Sequence, residues 1–106
     1  MLQSGCFPAD FDENLSRLNV NLPPFSKPVG LYKNVVVVGD LLYTSGHVPE
    51  NKTGYSHVGR VGQELNVKEG KEAARQTGLA MLASIRKKLG TLNRVRIFMQ
   101  IVIVFF

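Results

Sequence analysis

Ser45, Gly46 and His47 stand in a row, and a serine beside a histidine raises the prospect of a nucleophile and its base. Such a pair needs a hydrogen bond of about 3 Å between hydroxyl and imidazole. In an extended strand, side chains at i and i+2 lie roughly 6–7 Å apart, so this tripeptide cannot pair its own hydroxyl and ring. His47 and His57 have no third ligand near them in sequence, and neither paired cysteines nor a Cys/His cluster of zinc spacing accompanies them. No metal and no cofactor is expected. Glu50, Glu64 and Glu69 could serve as acid or base, but each stands where a solvated carboxylate is the default. Arg86, Lys87, Lys88, Arg94 and Arg96 form a basic cluster of the kind that meets phosphate or RNA. They are better read as charges at a helix C-terminus and at the start of a strand, and a nucleic-acid partner is not expected. Tyr32, just after Gly30, reads on composition as a strand-edge packing residue. By themselves these residues name no reaction.

The elements that must position them follow from residue pattern. Residues 1–28 read as a polar arm with a short helix over residues 12–18 and three prolines, Pro23, Pro24 and Pro28, that impose extended geometry. Residues 32–38 and 41–45 are β-branched, aromatic or aliphatic and flank Gly39-Asp40, which predicts a hairpin with a two-residue turn. Residues 46–62 read as a glycine-rich loop, with a short strand between residues 55 and 65. Asn66 followed by Glu69 predicts a capping box and a helix from Val67, ended by Gly90 behind the cationic Arg86, Lys87 and Lys88. Ala74, Thr77, Met81, Ile85 and Leu89 mark its packed face. Gly78 in mid-helix costs roughly 1 kcal/mol relative to alanine, and close approach to a sheet is the expected compensation. Residues 94–106 are apolar on both faces, which predicts a central buried strand. The expected fold class is α+β: a mixed β-sheet with helices packed on one face, made here of an N-terminal hairpin, a short strand, one long helix and one buried strand.

A length of 106 residues allows one domain, divided here into the arm, 1–28, and a partial domain, 29–106. With 44% hydrophobic and 20% charged residues, disordered, collagenous and coiled-coil classes drop out. The formal charge of +5 is uneven: residues 1–72 hold seven basic and eight acidic side chains, and residues 73–106 hold six basic and none acidic. A lone Cys6 fits a reducing compartment. Residues 1–14 lack the pattern of a targeting segment, so a cytoplasmic location is expected, with a mitochondrial one open. The apolar run 95–106 is about half the ~20 residues of a membrane-spanning helix, and no membrane partner is expected.

The runs Pro28-Val29-Gly30-Leu31-Tyr32 and Val38-Gly39-Asp40-Leu41-Leu42-Tyr43-Thr44-Ser45-Gly46-His47-Val48-Pro49 resemble the Rid (YjgF) family, also labelled the endoribonuclease L-PSP/chorismate mutase-like domain. Gly59-Arg60-Val61-Gly62, Leu65-Asn66-Val67-Lys68-Glu69-Gly70 and Leu89-Gly90-Thr91-Leu92-Asn93-Arg94-Val95 continue the match in order and spacing. The resemblance implies a chorismate mutase-like fold, a homotrimer with ligand clefts between subunits, and hydrolysis of reactive enamines and imines to ketones and ammonia. It gives Tyr32 and the segment Ser45-Gly46 a substrate-binding role. The family's carboxylate-clamping Arg and water-positioning Glu follow the buried strand, and neither has a counterpart in these 106 residues. A C-terminally shortened relative with little activity is therefore expected. Two alternatives stand beside it: a non-catalytic fragment that binds intact family subunits, and an RNA-binding or endoribonuclease-like module.

Overall fold

Phe11–Arg17 forms a short helix, α1, with Asp12 and Glu13 in its first turn and Arg17 in its last, charges that suit the two ends of a helix dipole. Asn19 ends it in the left-handed region, at φ 54°, a conformation asparagine tolerates better than most residues. The computed structural model describes residues 11–28, 30–51, 54–55 and 57–97. Strands β1, Val35–Val38, and β2, Leu41–Thr44, pair antiparallel with Val35 opposite Thr44 and Val38 opposite Leu41. Gly39 makes the turn at φ 58°, which a residue with a Cβ would adopt only under strain. The predicted hairpin is present, with a first strand that begins at Val35 rather than at residue 32.

The loop that follows differs from expectation. In place of one strand between residues 55 and 65, β3, Glu50–Asn51, pairs antiparallel with β4, Gly54–Tyr55. Residues 60–65 then fold on themselves, with the Leu65 N–H donating to the Arg60 carbonyl at 3.0 Å and the Gly62 N–H to the Leu65 carbonyl at 2.7 Å. These local bonds satisfy the backbone without a partner strand.

Helix α2, Val67–Leu89, begins at the predicted capping box: the Asn66 side chain accepts the Glu69 N–H at 2.8 Å, and the Glu69 carboxylate accepts the Asn66 N–H at 3.1 Å. Gly90 closes it in the left-handed region, its N–H donating to the Arg86 carbonyl. Of the predicted packed face, Ile85 is buried and Thr77, Met81 and Leu89 are half-buried, whereas Ala74 is exposed and Ala73 turns inward instead. The Gly78 expectation is also corrected, because a Cβ built there meets nothing within 4 Å. Within α2 the tight approach is at Gly70, where a Cβ would lie 2.8 Å from the Val61 side chain. It is the folded loop before the helix that crowds a glycine.

The core gathers Val35, Ile85 and Leu92, with Leu42, Met81, Leu82, Leu89 and Val95 packed around them. Leu15 and Leu22 pack there too, so the segment read as a polar arm lends the core two side chains. Its attachment is polar as well as apolar. Thr91, at the head of a 3₁₀ turn over Leu92–Arg94, donates its hydroxyl to the Asp12 carboxylate, the Leu92 N–H donates to it at 3.3 Å, and the Asp12 N–H donates to Asn93 Oδ1 at 3.0 Å. The 3₁₀ turn also corrects the start of the predicted last strand: Arg94 belongs to the turn, residues 95–97 have no regular structure, and residues 98–106 lie outside the described residues. The described part is α+β, with two helices and two antiparallel hairpins. No helix among the described residues is long and apolar enough to cross a membrane.

Candidate functional site

The hairpin places Ser45 immediately after β2 and opposite Asn34, two residues beyond Tyr32 on the partner arm. The Ser45 N–H donates to the Asn34 carbonyl at 3.0 Å, and its hydroxyl makes a long contact of 3.5 Å with the same oxygen. Asn34 is held in turn by its side-chain amide, which donates to the Ser26 carbonyl at 2.7 Å. Tyr32 is exposed, with its ring against Gly30, where a Cβ would lie 3.4 Å from a ring carbon. Gly46 is exposed, with open space where a Cβ would be.

His47 does not meet the Ser45 hydroxyl, as strand spacing requires. Its Nδ1 lies 2.9 Å from the Ser45 carbonyl oxygen, and its Nε2 lies 2.9 Å from Ser84 Oγ on α2. Ser84 is 4% exposed and is the buried polar residue of the described core. Sequence reasoning passed over it, although the signal was present: a serine set between Ala83 and Ile85, among the buried residues of α2, needs a hydrogen-bond partner once water is excluded. That partner is His47, 37 residues away in sequence.

The other expected groups stay apart from this site. Glu69 is occupied by the helix cap, and Glu64 accepts the Arg60 N–H at 3.4 Å within its own loop; the Glu50 side chain lies outside the described residues. His57 sits in the loop before Arg60, at φ 53°. Among the described residues no three His, Cys, Asp or Glu side chains converge as a metal set. Arg86, Lys87 and Lys88 are exposed on the last turn of α2, and Arg94 and Arg96 are exposed beyond it. A polar cleft of about 440 Å³ lies between the end of α1 and α2, lined by Asp12, Ser16, Asn19, Asn21 and Arg86 among others. None of Tyr32, Ser45 and Gly46 lines it.

No family model matches the chain. It is 37% identical over 83 residues to Protein TCP17 of Trypanosoma cruzi, an alignment that takes in 78% of this chain and 52% of that protein. Among solved structures, a Shewanella oneidensis protein described as a "putative endoribonuclease" superposes with a TM-score of 0.72 at 29% identity, over 78% of this chain and 55% of that one. An Agrobacterium tumefaciens protein of unknown function superposes with a TM-score of 0.59 at 26% identity, over 77% of this chain and 50% of that one. The chain thus spans about half the length of the relatives it matches. Over that half, it shares the fold of the Shewanella protein.

Proposed function

We propose that the chain carries the ligand-binding wall of a Rid-type site, in which Tyr32, Ser45 and Gly46 receive a small planar enamine or imine and the ketone released from it. The observation that supports this most is the tethering of Ser45: its N–H is bonded to Asn34 and its carbonyl to His47, with the exposed Gly46 next to it in the chain and the exposed Tyr32 two residues before Asn34. Such a segment offers preorganised backbone groups to a ligand. The endoribonuclease label of the Shewanella neighbour, one under which the Rid family is also known, points the same way. In the reaction, water adds to the C=N carbon, the carbon–nitrogen bond of the resulting carbinolamine breaks, and ketone and ammonia leave.

The probe that tests this reading is pyruvate, a small ketone bearing a carboxylate. Saturable binding near about 1 mM, equivalent to ~4 kcal/mol, is expected, and Tyr32→Ala should weaken it by about tenfold through loss of the ring contact. Absence of saturable binding, or an unaffected Tyr32→Ala variant, would refute the reading.

A second reading concerns assembly, and the outer face of the hairpin favours it. Val36 and Tyr43 are direct partners in register, as are Val38 and Leu41, and the four alternate onto one face, each 41–60% exposed. An antiparallel sheet facing water ordinarily carries polar residues there. This face contains no charge, and we read it as the surface on which further subunits of the same fold pack, in a homotrimer or by insertion beside longer relatives.

A further inference from the structure

The Ser45 carbonyl has only lone pairs to offer, so the imidazole nitrogen facing it at 2.9 Å must carry the proton. A neutral His47 is therefore the Nδ1–H tautomer. Its Nε2 is then a bare lone pair, and the group 2.9 Å away is the hydroxyl of Ser84, which must donate. Ser84 is 4% exposed, so bulk water does not compete for that bond. The resulting chain runs in one direction, from the Ser84 hydroxyl to Nε2 and from Nδ1–H to the Ser45 carbonyl. It joins the C-terminal half of α2 to the residue that follows β2.

The consequence lies in the peptide unit between Ser45 and Gly46. That unit is planar and trans, with its C=O and N–H pointing in opposite directions. Fixing the Ser45 carbonyl therefore fixes the direction of the Gly46 N–H, which has no partner among the described residues. Asn34 fixes the Ser45 N–H on the preceding peptide unit. The two peptide units around Ser45 are thus set from different elements, one from the opposite strand and one from α2.

We propose that His47 and Ser84 are positioning residues for the ligand wall: through the Nδ1–H tautomer they hold the Ser45-Gly46 peptide in the orientation that presents the Gly46 N–H to a ligand oxygen. The assignment of ligand wall rests on the reading given above, whereas the hydrogen-bonded link does not. A merely structural serine would affect stability and leave the imidazole tautomer untouched.

The test uses the full 106-residue chain. Long-range ¹H–¹⁵N correlation of the imidazole should show His47 protonated at Nδ1. Ser84→Ala should mix the tautomers, move the Gly46 amide resonance and weaken pyruvate binding by about three- to tenfold, the range expected for one hydrogen bond. Ser84→Thr, which keeps the hydroxyl, should restore all three. A wild-type His47 protonated at Nε2 would overturn the link, as would a folded Ser84→Ala variant whose imidazole and Gly46 signals are unchanged. If the imidazole and Gly46 respond to Ser84→Ala but pyruvate never binds the wild type, the link is supported and the ligand-wall reading is overturned.

Discussion

Replacing Ile85 with alanine is expected to cost about 2–5 kcal/mol, the range for truncating a large buried aliphatic residue. Ile85 is 2% exposed and packs with Val35 of β1 and Leu92 of the 3₁₀ turn, with Leu15 and Leu22 from the N-terminal segment against the same cluster. One side chain thus ties the long helix to the hairpin, the turn and the arm, and its loss leaves a cavity that rigid neighbours on several sides cannot collapse to fill. For a domain of this size, with total stability of about 5–15 kcal/mol, that is a large share. Denaturant unfolding should show the midpoint falling sharply at unchanged slope, while Ile85→Val costs about 0.5–1.5 kcal/mol. A cost below about 1 kcal/mol for Ile85→Ala would mean that the cluster is not the core. Ser84 immediately precedes Ile85 in the helix, so the same packing sets the anchor of the proposed wall.

The largest effect on assembly is expected from Tyr43→Lys. Tyr43 is 57% exposed and directly opposite Val36 in the ladder, so in the separate chain a lysine there keeps its ammonium in water and costs little. Packed between subunits, the same ammonium would be buried on an apolar face with no acid to pair it, a cost of several kcal/mol. Sedimentation should therefore show the wild-type chain as a trimer, or as a complex when mixed with a longer relative, and the variant as a monomer with an unchanged circular dichroism spectrum. A wild-type chain that stays monomeric and unbound would refute the assembly reading, as would a Tyr43→Lys variant that still associates.

What the sequence made legible was local. The Gly39-Asp40 turn, the Asn66–Glu69 cap and the Gly90 stop each depend on residues within a few positions of one another, and each stands where residue chemistry places it. The features that went unread join distant segments. Asp12 meets Thr91 across 79 residues, and His47 meets Ser84 across 37; no periodicity encodes such pairings. The inward-facing serine of α2 announced a need for a partner without naming it. Gly78 misled for a related reason: a mid-helix glycine implies a cause, but its position does not say whether a neighbour crowds it, and the crowded glycine of α2 was Gly70, facing a loop with no regular pattern. The pocket role of Tyr32, Ser45 and Gly46 came from resemblance alone, since composition read the tyrosine as edge packing.

Residue-resolved ¹H–¹⁵N spectra of the 106-residue chain, titrated with pyruvate, test the ligand-wall assignment most directly. The shifts should concentrate at Tyr32, Ser45, Gly46 and His47 and saturate together. Shifts centred instead on Asn19, Asn21 and Arg86, which line the polar cleft beside α1, or no saturable shift at any residue, would contradict it.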